Sequence, residues 1–193
     1  MRHSQLKNKM SEAIKNPLAK LIGTWTGDVG VDLAPKPEVD ENNPYYEVLT
    51  IEPVDIEIEN AEEQELLAVR YNQVVREKSN DKISHSETGY WIWDQNENTI
   101  MNSFSIPRGV SVLAGGKMEL VRDELRLKVS VKENDSQWGI VQSPFMLKKA
   151  KTLSFTREFI VSDNRLTYSQ ETVLAIYHKI FSHTDENTLS RVC

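Results

Sequence analysis

Between Leu125 and Val131 every second residue is apolar: Leu125, Leu127, Val129 and Val131 alternate with Arg126, Lys128 and Ser130. A period of two belongs to a β-strand with one face on a core and the other in water. The same template fits Trp25–Val31, where it puts Trp25, Val29 and Val31 on one face. It also fits Tyr46–Glu52, Glu65–Glu77, Lys82–Asp94, Thr99–Ile106, Val110–Ala114 and Met118–Arg122. Near the end come Leu153–Ser162, Arg165–Tyr177 and a short last run at Thr188–Val192. The chain is therefore all-β, with about ten strands.

The breaks carry turn chemistry. Asn96-Glu97-Asn98, Asp123-Glu124 and Ser162-Asp163-Asn164 are short polar connections of the kind that join antiparallel neighbours, and Gly115-Gly116-Lys117 reads as another turn. The Pro- and acid-rich Ala34–Asn43 reads as an exposed loop. Helix is scarce: Asn16-Pro17 is a cap followed by a first-turn proline, giving one short turn over Pro17–Ile22. Residues 1–16 form an N-terminal extension with Leu6, Met10 and Ile14 at helical spacing, and 17–193 form a single domain. Many short strands must dispose of their edges, in a sandwich or a closed barrel, and sequential hairpins favour the up-and-down barrel. A barrel of this strand number leaves room for a small-molecule ligand.

Composition excludes several functions. Twenty-nine acidic residues against 23 basic ones, a net charge of −6, argue against a nucleic-acid binder. No apolar tract reaches the roughly 18 residues of a membrane span, and Leu6–Lys20 has no marked apolar face, so no membrane partner is expected. Met1–Met10 lacks the apolar stretch of a secretion signal, and Cys193 has no second cysteine to pair with, which together predict a cytoplasmic setting.

No Gly-x-Ser-x-Gly elbow and no phosphate-binding loop occur. The four histidines are His3, His85, His178 and His183. His178 and His183 have the spacing of a zinc half-site but no cysteines to complete it, so structural zinc is not expected. On residues alone, each histidine reads either as structural or as the axial ligand of a haem, which needs one imidazole and an apolar cavity. His85 starts a face with Glu87, Gly89, Trp91 and Trp93, as a ligand contact or as a brace between strands. Gly23 and Gly27 flank Trp25, either shaping a ligand mouth or letting the strand curve while the indole plugs one end. Arg108, Arg157 and Tyr168 offer a grip on a carboxylate, although the Arg-x-Tyr spacing of fatty-acid carriers is absent.

Pro17-Leu-Ala-Lys-Leu-Ile-Gly23-Thr-Trp25-Thr-Gly27 resembles the opening of the nitrobindin family, and His85-Ser-Glu87-Thr-Gly89-Tyr-Trp91 resembles its second signature. The C-terminal stretch, with a histidine shortly before Thr188-Leu189 and a basic Arg191, is placed like the family's haem-binding segment. The resemblance implies a ten-stranded barrel related in shape to lipocalins and fatty-acid-binding proteins. It further implies ferric haem b at one open end, with His183 as iron ligand and Trp25, Gly27 and His85 near the cofactor. Nitric oxide binding, or isomerisation of peroxynitrite to nitrate, is the implied activity. Carriage of a fatty-acid-like ligand in the same cavity is the alternative. The family's His-Pro-Thr-Gly segment is replaced here by Ile106-Pro-Arg-Gly109, and Thr184 stands where strict alignment puts the histidine.

Overall fold

The computed structural model describes residues 16–38, 40–54 and 66–192. The expected helix before Asn16 and the terminal Cys193 lie outside these residues. Pro17–Leu21 forms one 3₁₀ turn, capped as its sequence predicts: the Leu18 amide donates to Asn16 Oδ1 at 3.1 Å. The rest is dominated by strands: β1 (Gly23–Ala34), β2 (Glu41–Pro53), β3 (Leu66–Glu77), β4 (Ile83–Asp94), β5 (Thr99–Ile106) and β6 (Val110–Val121). They continue with β7 (Glu124–Lys132), β8 (Gly139–Gln142), β9 (Ala150–Ser162), β10 (Arg165–Ile176) and β11 (Lys179–Arg191). One short helix, α1 (Pro144–Lys149), joins β8 to β9. No helix among the described residues is long and apolar enough to cross a membrane.

Every pairing is antiparallel, and the order β5-β4-β3-β2-β1-β11-β10-β9-β7-β6 closes on itself through β5–β6. The ring thus holds ten strands, and closure removes the edges such a sheet would otherwise expose. The four-residue β8 lies outside it. Along β6, Gly115–Val121 pairs with β7, while Val110–Leu113 pairs with β8 instead. Strand β8 and helix α1 therefore fill the gap between β6 and β9 at one end of the barrel. The Gln142 side chain ties this patch to β9 by donating to the Thr152 carbonyl at 2.9 Å and accepting the Thr152 amide at 2.7 Å.

Three sequence expectations need correction. Gly115 and Gly116 are inside β6, not in a turn, and both are glycine because neighbours come too close. A Cβ at Gly116 would sit 1.9 Å from the Lys128 carbonyl oxygen, and one at Gly115 would meet the Trp138 ring. The proline-rich loop is shorter than predicted, because β1 runs to Ala34 and β2 starts at Glu41. The last strand begins at Lys179, after a two-residue hairpin at Tyr177-His178 in which both residues have positive φ (52° and 62°). This is the geometry of a type I′ turn, ordinarily built from Asn and Gly.

The barrel interior is layered. The 3₁₀ turn packs against β3 and β9 and plugs one end, burying Leu18 and Leu21 beside Trp25, Trp91, Leu127 and Leu189. A belt of buried polar side chains crosses the middle, and a cavity opens at the far end.

Candidate functional site

Register decides which side chains reach the cavity. On β11 alternate residues Phe181, His183, Asp185, Asn187 and Leu189 face inward, ordered from the open end to the plug. On β1 the alternation breaks: its pairing shifts between Gly27 and Gly30 against β2 and between Thr26 and Val31 against β11, the signature of a β-bulge. The shift turns Val29 and Val31 outward, where they are exposed, and brings Gly30 and Asp32 inward. The sequence reading that placed Trp25, Val29 and Val31 on one face is corrected by this bulge.

The belt has two clusters. In one, Arg157 donates from Nη1 to Glu87 Oε1 (2.7 Å), Asn102 Oδ1 (2.9 Å) and Tyr71 Oη (3.1 Å). Its Nη2 donates to Glu87 Oε2 at 3.0 Å and its Nε to Gln170 Oε1 at 2.9 Å. The guanidinium also lies over the rings of Phe104 and Phe155, near 5 Å from each centroid. Burial alone would raise the Glu87 carboxyl, but Arg157, with help from His85, holds it down at about 2. In the second cluster Tyr168 donates to Glu47 Oε2 (2.6 Å) and shares a 2.7 Å contact with Tyr45 Oη, while burial pushes the Glu47 carboxyl up.

Above the belt lies a cavity of about 200 Å³. Val75, Phe104, Val112, Met146, Phe155 and Leu174 make its apolar wall. Its polar wall carries Asp32, His183 and Asp185, with His85 nearby. His183 Nε2 lies 2.5 Å from Asp32 Oδ1 and 3.7 Å from Asp185 Oδ2. Burial works against a charged imidazole here, but the Asp32 hydrogen bond and the Asp185 charge outweigh it and raise His183 above its ordinary value. Burial pushes Asp185 up to about 6, against the pull of His183 and with the push of Asp32.

The four residues proposed from sequence separate into two pairs. His183 and His85 both line the cavity, and His85 Nε2 stands 3.4 Å from Glu87 Oε2. Trp25 and Gly27 do not line it. Trp25 is fully buried at the plugged end, where its indole N–H donates to the Leu21 carbonyl at 2.7 Å and Arg191 stacks on its ring at 4.1 Å. Gly27 lets β11 approach, since a Cβ there would stand 2.4 Å from a Leu189 methyl and 2.6 Å from the Thr188 carbonyl oxygen. His178 is exposed in the hairpin turn. Arg157 is committed to Glu87 and is no free anchor for a ligand carboxylate. Asp32, Asp185 and Gln170 were not singled out from the sequence. The one available signal was the Gly27-Asp-Val-Gly30 spacing, since glycines within a strand mark bulges.

A family model described as a THAP4-like, haem-binding β-barrel domain matches residues 15–191. A search of curated protein sequences finds no significant match. Twelve chains of solved structures match. One is the crystal structure of Rv2717c from M. tuberculosis, with a TM-score of 0.68 at 19% identity over 92% of this chain and 96% of that one. At that identity the likeness establishes a shared barrel.

Proposed function

This chain belongs to the THAP4-like haem-binding β-barrel family, and on that premise we propose that its barrel takes up haem at the open end, with His183 as the axial ligand. The observation that carries the reading is the inward-facing imidazole of His183 at the rim of a cavity with one apolar wall. Axial ligation needs one imidazole and an apolar surface for the macrocycle, and both are present. The cavity volume, about 200 Å³, is below the roughly 300–1,000 Å³ of enclosed ligand sites. A group the size of haem would therefore extend into the mouth, where Arg108 lies exposed on the rim and suits an anionic substituent.

Bound haem would supply an open iron position for small ligands, with nitric oxide binding or peroxynitrite isomerisation as the chemistry. The protein's own contribution is positional. The β10–β11 ladder fixes the His183 backbone opposite Thr172. In the haem-free chain Asp32 holds the His183 ring through Nε2, the nitrogen that would ligate the iron, so haem uptake would have to displace that hydrogen bond. The Glu87–Arg157 pair closes the floor, keeping a buried charge pair between the cavity and the plug.

Titration of the purified protein with ferric haem, followed at the Soret band, tests the reading. Saturable one-to-one binding that His183→Ala weakens at least tenfold is expected. Binding unchanged by that substitution would remove His183 from the role, and no saturable shift in the wild type would defeat haem uptake itself.

A further inference from the structure

We infer that Asp32, His183 and Asp185 form a site for one divalent transition-metal ion, in the class from Mn²⁺ to Zn²⁺, at the mouth of the barrel. Their ligating atoms all lie within 4.8 Å of one another, and all three side chains are half-buried. One imidazole nitrogen faces two carboxylates. A neutral imidazole has a lone pair at that nitrogen, so an ion seated among the three takes the place of the hydrogen shared with Asp32. Metal–donor distances of about 2.0–2.2 Å would draw the three side chains together from these separations. One nitrogen and two carboxylate donors suit this class better than Ca²⁺ or Mg²⁺, which favour all-oxygen shells.

Two further observations point to a cation. First, Asp32 and Asp185 are direct partners in the β1–β11 ladder, both facing inward. Like charges directly opposite one another destabilise a sheet, and these stand in a half-buried mouth where water screens them poorly. Second, the acids of the cavity are unevenly matched. Glu87 is neutralised by Arg157, whereas among the described residues Asp32 and Asp185 share one ion-pair partner, His183, with His85 acting on Asp185 from farther off, leaving the trio negative even with a charged His183 imidazole. The other basic groups on the lining are His85, beside Glu87, and Arg108, exposed at the rim.

The arrangement is also braced. Gln170 donates to Asp185 Oδ2 at 3.1 Å and accepts from Arg157 Nε at 2.9 Å, so the belt orients one carboxylate of the trio. Fixed outer partners of this kind are typical of metal ligands. The site goes beyond the haem reading and does not depend on it. Both use His183, so an ion and a haem ligated there exclude one another.

The test uses the full chain freed of metal and haem, titrated with Zn²⁺ by calorimetry and with Co²⁺ by its visible bands. The proteins are wild type, Asp32→Asn, Asp185→Asn and, as a control on the outer face of β11, Glu186→Gln. One ion per chain is expected for wild type and Glu186→Gln, with at least tenfold weaker binding in the other two. Without metal, Asp32→Asn and Asp185→Asn should melt no lower than wild type, since each removes a like charge. No saturable binding at millimolar Zn²⁺, or equal affinity in all four proteins, would overturn the site. Ferric haem titrated into the same proteins keeps the readings apart: haem uptake without metal binding defeats only this inference. Metal binding without haem uptake defeats only the haem reading.

Discussion

Arg157 is buried because four polar side chains, Glu87, Asn102, Tyr71 and Gln170, take its hydrogen bonds, and the same partners make it expensive to remove. Truncation leaves the buried Glu87 carboxylate with only His85 and the Tyr71 hydroxyl beside it, and it strips hydrogen bonds from Asn102 and Gln170. Breaking a buried ion pair from one side commonly costs about 3–5 kcal/mol. Arg157→Ala is therefore expected to lower unfolding free energy by about that amount in urea denaturation. A loss below about 1 kcal/mol would mean that the belt is hydrated and the pair contributes little. At this scale the sequence was readable for His85 and His183, since histidines are few and each invites a chemical question. Asp32 and Asp185 were not readable as a pair. Their meeting depends on a bulge in one strand and on the true start of another.

Among the elements, the long period-two runs such as Leu125–Val131 were legible because one face of each is buried along its whole length. The failures all sit where a local signal and the tertiary structure disagree. Gly115-Gly116 looks like a turn, yet close packing against Trp138 and the Lys128 carbonyl requires glycine within a strand. Tyr177 looks like the end of a strand, yet Tyr177-His178 makes a two-residue hairpin before β11. Non-glycine residues in that left-handed conformation are strained by roughly 1–2 kcal/mol each. Replacing the pair, as Tyr177→Asn with His178→Gly, should raise Tm by about 2–4 °C for each kcal/mol recovered. It should leave ligand binding unchanged, because His178 is exposed in the turn and is absent from the cavity lining. An unchanged or lower Tm would show that the turn residues contribute contacts that offset their strain.

Across the whole molecule, the layers divide labour: a plug of apolar side chains, a charged belt, and a cavity with an acidic wall. The belt ties stability to pH. Glu87 has a folded-state value of about 2 against an ordinary 4.5, so its contribution is complete above pH 4.5 and fades as pH falls toward 2. That difference corresponds to about 3 kcal/mol. Between pH 4.5 and 2, wild type should therefore lose about that much more stability than Glu87→Gln, which lacks the titrating group. Parallel pH profiles for the two proteins would contradict the assignment. Glu47 works in the opposite sense, since burial raises it and protonation on acidification relieves the strain of its charge.

The division of the barrel into a sealed end and a working end is the centre of this account, and ferric haem uptake by one variant directed at the cavity and one directed at the plug tests it most directly. Thr172→Trp fills the mouth beside His183, whereas Trp25→Phe alters only the plug. The account predicts one-to-one binding in wild type and in folded Trp25→Phe, with Thr172→Trp losing at least tenfold in affinity. Full binding by Thr172→Trp, with loss in a folded Trp25→Phe, would place the site at the wrong end and contradict it.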